Sequence, residues 1–302
     1  MVRIPNTQLQ VSQICFGTMN FGNPVGPEQA AELLHYGRDR GINFIDTANM
    51  YEGYDRHIGS AGGTSEQYIG RALKGVRHDY VLATKVGMKV GEAPEDEFTS
   101  PAAIRKYVRR SLQNLQTDYI DILYLHKYDP FTPPEEIADA LAREIKAGSI
   151  RYYGVSNYTA GQLEALLRAA DENGLPRPVI AQPPLSLLKQ EALEDFLPLC
   201  RKEDIAAVPY QVLQGGLLTG KYRRGTAAPA GTRAGDGKWI REIDDAVFDR
   251  LDEIEKAAVD SGRSMTHYAL GWALAQPAVL SVLVGIRSAA QIDDAAALME
   301  QN

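Results

Sequence analysis

Four polar side chains in this 302-residue chain, Asp46, Tyr51, Lys85 and His126, stand at or just beyond the ends of short apolar runs. Asp46 closes INFID, with Tyr51 five residues later; Lys85 closes YVLATK and His126 closes YIDILYLH. Their types suit one piece of chemistry. A phenol is a poor acid near neutrality, with an unperturbed pKa of about 10, and a neighbouring ammonium favours the phenolate and brings that value down. A carboxylate beside the lysine keeps it charged and in place. A neutral imidazole can donate a hydrogen bond to a carbonyl oxygen and turn it toward the phenol. Together, the four groups would protonate an oxygen as negative charge develops on it. Taken singly, each fits a structural role as well: a solvated strand end, a loop cap or a core histidine.

Bringing these residues together requires that their strands empty onto one face. Candidate strands fall at Ile14–Gly17, Asn43–Asp46, Tyr80–Lys85, Tyr119–His126, Arg151–Val155, Val179–Gln182, Ala206–Tyr210 and Ser281–Val284. Between most of them lie segments of helical period, among them PEQAAELLHYGRDRG, PAAIRKYVRRSLQNLQ, EEIADALAREIKAG and TAGQLEALLRAADENG. Strands alternating with helices in this way predict an α/β chain folded as a closed parallel (β/α)8 TIM barrel, in which all strand C-termini meet at one mouth. An open doubly wound sheet competes, but the G-x-G-x-x-G expected after its first strand is missing. The length suits one barrel spanning residues 1–302 as a single domain.

Two segments break the even spacing: 53–63, GYDRHIGSAGG, and 211–240, both rich in Gly, polar and basic residues. They are expected to be long loops over the mouth, one a substrate lid and the other a cofactor clamp. A third stretch, GEAPEDEFTS, reads as a solvated loop.

The net charge of −7, without a basic block, gives nucleic acid or an anionic membrane little electrostatic purchase, leaving a small molecule as the expected partner. Cys15 and Cys200 lie far apart without metal-ligand spacing, which predicts buried thiols in a reducing, cytoplasmic setting and no metal. The apolar stretch 268–286 is interrupted by Gln276-Pro277, which suits a helix ending before a strand better than a membrane span. GGLLTGK, residues 215–221, approaches a nucleotide-triphosphate loop, but Tyr222 stands where a Ser or Thr should hold magnesium.

Beyond these single features, the pieces FGTMNFG, GINFIDTANMY, SEQYIGRALKG, LATK, SLQNLQTDYIDILYLH, GSIRYYGVSN, GLLTGKY and VGIRSAAQIDD, in this order, resemble the aldo-keto reductases over nearly the whole chain. The resemblance implies a (β/α)8 barrel using a nicotinamide cofactor, NADPH (NADP+ when oxidised) or NADH, to reduce an aldehyde or ketone. Tyr51 would be the proton donor, supported by Lys85, Asp46 and His126. The alternative it leaves open is a cofactor-binding regulatory or redox-sensing subunit with little turnover.

Cofactor contacts carry over residue by residue. Gly17, Thr18, Met19 and Asp46, with Gly285, match cofactor-binding positions, and Ser156, Asn157 and Gln182 match those that hold the nicotinamide carboxamide. Tyr210, Gln211, Val212, Leu213, Gln214 and Gly216, followed by Thr219 and Lys221, match the segment that wraps the pyrophosphate. Arg233, Arg287 and Gln291, with Asp294, match positions near the adenosine and its 2′-phosphate, where arginine's planar fork suits phosphate. Three departures stand out. Leu185, three positions after Gln182, occupies a place where the resemblance leads us to expect an aromatic ring stacked on the nicotinamide; Gln211 and Val212 replace Ser and Pro; and Ala295 replaces an asparagine that would reach adenine.

Overall fold

The computed structural model describes residues 1–235 and 243–300. The chain opens with a short hairpin, β1 (Val2–Arg3) and β2 (Gln10–Val11), and then alternates. In order follow β3 (Ile14–Gly17), α1 (Pro27–Asp39), β4 (Phe44–Asp46), α2 (Thr64–Ala72), β5 (Val81–Val86), α3 (Pro101–Leu115), β6 (Ile120–Leu125), α4 (Pro134–Lys146) and β7 (Ile150–Ser156). After these come α5 (Ala160–Glu172), β8 (Ile180–Gln182), α6 (Phe196–Lys202), β9 (Ala206–Ala207), α7 (Asp245–Asp260), α8 (Met265–Leu274), β10 (Val282–Gly285) and α9 (Ala289–Glu300). All eight strands from β3 onward are parallel, in the order β10-β3-β4-β5-β6-β7-β8-β9. Backbone bonds from Ala207 N to Ala278 O (2.8 Å), Leu280 N to Ala207 O (2.9 Å) and Leu283 N to Pro209 O (3.0 Å) join β9 to the approach of β10 and close the barrel.

Helix starts follow their local chemistry. Ser100 caps α3 by accepting from Ala103 N, with Pro101 in the first turn; Thr159 and Gln162 form a reciprocal capping box at α5; Asp244 and Ser264 cap α7 and α8. The stretch from 268 to 286 resolves into the end of α8 and the strand β10, as Gln276-Pro277 suggests. Among the described residues, no helix is long and apolar enough to cross a membrane.

The period-two alternation of the strands decides what fills the barrel. Cys15, Phe44, Ala83, Ile122, Tyr124, Ile180, Ala206 and Val208 form one buried cluster inside it, and Ile4, Leu9 and Val11 of the hairpin region join that cluster. Ile45, Leu82, Leu123 and Ala181, one residue out of phase, belong instead to the larger cluster packed beneath the helices. Two positions beyond the inward residues Phe44, Ala83, Tyr124 and Ile180 stand Asp46, Lys85, His126 and Gln182. The catalytic candidates therefore continue the inward register past the apolar layer, into the mouth.

The strand from Ala206 is shorter than the sequence suggests, ending at Ala207 instead of Tyr210, because Pro209 lacks the amide hydrogen a ladder needs, whereas β8 ends at Gln182 as expected, just before Pro183-Pro184. Pairing persists in fragments, through Val208 N to Ala181 O at 2.8 Å and Tyr210 N to Pro183 O at 3.0 Å.

Candidate active site

Lys85 lies at the centre of the mouth and is wholly buried; its ammonium pairs with Asp46 Oδ1 and donates to Thr47 O at 3.0 Å and to the Tyr51 hydroxyl at 3.2 Å. The ring of Tyr51 meets His126 edge to face, with centroids 5.9 Å apart. The four candidates thus form one group. Local bonds fix each of them: Ser65 N, at the start of α2, donates to Tyr51 O (3.0 Å), and His126 N donates to Val86 O (2.8 Å). The hydroxyls of Thr18, Thr47 and Ser65 bond one another, and Thr18 Oγ1 also donates to Asp46 O at 2.9 Å. Patterns of apolar runs gave no notice of this hydroxyl cluster.

Burial sets the electrostatics. It pulls Asp46 and Lys85 alike toward their neutral forms, but Asp46 and Tyr51 outweigh it at Lys85 and hold that ammonium above its ordinary pKa. For Tyr51 the expectation of a lowered pKa is corrected: burial raises it more than Lys85 lowers it, and the net shift is upward. Burial, with the charges of Lys85, Arg56 and Lys127, pushes the His126 imidazole well below its usual range, so it is neutral near pH 7.

Beside this group, the residues expected to hold a carboxamide converge. Ser156 Oγ donates to Gln182 O (3.0 Å), Asn157 Nδ2 to His126 O (2.8 Å), and Gln182 Nε2 to Asp46 Oδ2 (2.9 Å). Asn157 adopts a left-handed φ of 57° and its Oδ1 accepts the Tyr210 hydroxyl at 2.7 Å. Tyr210, half-buried, is the aromatic residue at this wall. Leu185, expected to cover a nicotinamide face, is fully buried against Leu197 and Ala207 and offers no such surface.

Farther along, Gln211, Gln214, Gly215 and Gly216 all have positive φ, giving a tightly turned segment. Val212 is 1% exposed, so only its backbone can serve a ligand, and Leu213 is partly buried against the core. Gly216, with φ of 101°, holds a backbone conformation that favours glycine, the Lys221 ammonium lies over it, and Thr219 Oγ1 pins the turn to Gly216 O at 2.8 Å. Lys221 has its pKa lowered by burial and by the charges of Arg287 and Arg233. Among the described residues, none of these three cations forms an ion pair with a carboxylate.

The remaining positions are more structural. Thr18 is fully buried and, through its amide (3.1 Å) and hydroxyl, ties to Asp46 O, and a Cβ on Gly17 would press on Leu283 at 2.7 Å. Met19 is half-buried and Gly285 exposed at the strand ends. Gln291 Oε1 accepts from Arg287 N (2.9 Å), while Asp294 lies 2.9 Å from His267 on α8 and is engaged there. Ala295 is buried at 3% exposure in the core, so its position does not face the cleft.

Of the two long loops, 53–63 is packed in place. Arg56 donates to Ser60 Oγ (2.8 Å) and Lys89 O (2.5 Å), Ser60 bonds Glu52, and Tyr54 N donates to Asn23 O (2.8 Å). His57 and Ile58 stay exposed. Within the other loop, residues 236–240 lie outside the described residues.

A match to the model of the aldo/keto reductase family spans residues 13–302. The chain belongs to the aldo/keto reductase family. It is 32% identical over 295 residues to YrpG, an uncharacterised oxidoreductase of Bacillus subtilis, covering 95% of this chain and 87% of that one. It is equally 32% identical, with the same coverage, to a probable voltage-gated potassium channel beta subunit of Arabidopsis thaliana. Among solved structures, a glycerol dehydrogenase from Gluconobacter oxydans superposes with a TM-score of 0.82 at 31% identity, covering 98% of this chain and 89% of that one. Among the described residues of this aldo/keto reductase, no cluster of three or more His, Cys, Asp and Glu could hold a metal ion.

Proposed function

We propose that this protein is an NADPH-dependent reductase of a small aldehyde or ketone, with Tyr51 as the proton donor. The observation that carries the reading is the buried Asp46–Lys85 pair with its ammonium 3.2 Å from the Tyr51 hydroxyl. When bound, the cofactor supplies a hydride. The protein's own part is to hold the carbonyl oxygen between Tyr51 and His126 and to deliver a proton to it. Burial keeps Tyr51 protonated at neutral pH, so the acid is loaded. Lys85 stabilises the phenolate that forms as the proton leaves, so its help is greatest at the transition state. Neutral His126 donates to the carbonyl oxygen without competing as an acid.

Ser156, Asn157 and Gln182 are of the types that pair with a planar carboxamide, and a bound carboxamide would compete for groups that now bond to Gln182 O, His126 O and Asp46. The Tyr210 ring is suited to cover a nicotinamide face in the role first assigned to position 185. The turn 211–216 would hold the pyrophosphate. Three cations without a carboxylate partner among the described residues, Lys221, Arg233 and Arg287, favour NADPH over NADH, because a 2′-phosphate relieves their mutual repulsion. Two buried free cysteines support a reducing, cytoplasmic setting.

Tyr51→Phe removes the acid and keeps the ring, so turnover should fall by about 10²- to 10⁴-fold while NADPH still binds. Unchanged turnover overturns the mechanism. The kinship with channel beta subunits supports a second reading, a cofactor-binding regulatory subunit. NADPH that binds but is oxidised by no member of a carbonyl panel would favour that reading.

A further inference from the structure

Gln182 does more in this structure than wait for a ligand. It is 3% exposed at the end of β8, and its Nε2 donates at 2.9 Å to Asp46 Oδ2, across 136 residues of sequence. The other carboxylate oxygen of Asp46 takes Lys85 Nζ, which donates onward to the Tyr51 hydroxyl at 3.2 Å. A continuous chain of hydrogen bonds therefore runs from Gln182 to the phenol. Among the described residues no hydrogen bond ends on Gln182 Oε1, and the side chain also lies beside the buried Tyr124 hydroxyl. Ser156 Oγ donates to the backbone oxygen of Gln182, and Asn157 and Tyr210 follow it in one hydrogen-bonded series.

We propose that Gln182 is a positioning residue of the proton-donating group: its amide N–H fixes Asp46, and through Lys85 the Tyr51 phenol, while its Oε1 faces the place of the nicotinamide carboxamide. The second half rests on the NADPH reading; the first does not. Without the N–H, Asp46 has one donor fewer and draws harder on Lys85, which then supports the phenolate less. Bonds in such a chain polarise one another in a low-dielectric interior. A carboxamide donating to Oε1 therefore strengthens the donation to Asp46 and favours loss of the Tyr51 proton. Coupling of this kind is reciprocal, so whatever holds Asp46 in place also tightens the cofactor.

The test combines two variants, Gln182→Met and Asp46→Asn, alone and together, with the NADPH Kd read from quenching of protein fluorescence and kcat at saturating NADPH. Gln182→Met should lower kcat about tenfold and raise Kd about fivefold, the low end of ordinary coupling between sites. In the Asp46→Asn background it should have no further effect on kcat. If Gln182→Met raises Kd by the same factor in both backgrounds and leaves saturated kcat unchanged, Gln182 is only an anchor and the proposal falls. Gln182→Glu adds a readout that a packing role would not move: its protonated carboxyl restores a donor to Asp46, so kcat should rise as pH falls. A wild-type pH profile for that variant also overturns the proposal. Should the wild type bind no NADPH or reduce no carbonyl, the functional reading fails separately. The Gln182–Asp46 link is then decided by denaturant midpoints of the same variants, where strict additivity refutes it.

Discussion

Removing the ammonium of Lys85 should reveal how much of the fold's stability depends on it. Lys85 has 0% and Asp46 1% of its side chain exposed, so neither charge is shared with solvent. Lys85→Met leaves the Asp46 carboxylate in the barrel interior with Gln182 Nε2 as its remaining side-chain donor. Breaking a buried pair from one side costs about 3–5 kcal/mol, a large part of the roughly 5–15 kcal/mol that stabilises an ordinary domain. Removing both charges is a different perturbation. Lys85→Met with Asp46→Asn keeps an amide next to Gln182 and leaves no unpaired charge, so most of the loss should be recovered. The sign with pH follows as well. Burial is the largest influence on Asp46 and raises its pKa, and in Lys85→Met no ammonium opposes it. Its folded pKa then lies above the unfolded value of about 3.9, so the variant is least penalised in acid and loses stability as pH rises through the folded pKa. Urea unfolding followed by far-ultraviolet circular dichroism, in steps from about pH 4 to pH 8, measures all three proteins on one scale. If the single variant is no less stable than the double, or its deficit does not grow as pH rises above the unfolded pKa of about 3.9, the reasoning about the pair is wrong.

Two further outcomes follow from the same electrostatics. Because burial and three cations hold His126 well below its ordinary pKa, the unfolded chain takes up a proton near pH 6.5 that the folded protein refuses. Stability should therefore fall as pH drops below about 6.5, by up to about 1.4 kcal/mol per pH unit for this group, and His126→Gln should flatten that part of the curve. Superimposable pH–stability curves would refute the assignment. At the other end of the cleft, Lys221→Met or Arg287→Met should weaken NADPH about tenfold, as loss of one hydrogen bond to a charged group would, with much less effect on NADH. Equal losses for the two cofactors would remove the 2′-phosphate from the account.

Much of this architecture was legible because period and punctuation are local properties. The strand Ile14–Gly17 is found as read, and the helices from Pro27, Pro101 and Ala160 start within a residue or two of their sequence signals. The convergence of Asp46, Lys85 and His126 follows from counting by twos along three strands, since each extends an inward-facing apolar series by one step. The first hairpin, with strands of two residues each, carries no periodic signal long enough to read.

What escaped the sequence depends on how distant segments meet. Counting residues from Gln182 puts Leu185 near the cofactor, yet the pair Pro183-Pro184 turns the chain so that Leu185 N bonds Tyr210 O (3.2 Å) and the leucine packs outward on Leu197. That same bridge carries Tyr210 to the wall beside Asn157, so the aromatic residue comes from the next strand's exit. The acidity of Tyr51 escaped for a related reason. A lysine neighbour argues for a lower pKa, but the balance depends on how completely the phenol is enclosed, and enclosure is set by every loop around the mouth. Gln182 shows the same limit: its residue type suits a carboxamide, and only the barrel's closure reveals that one end of its amide is already committed to Asp46. A residue's type gives the bonds it can make, whereas its neighbours in space decide which of them remain for a ligand.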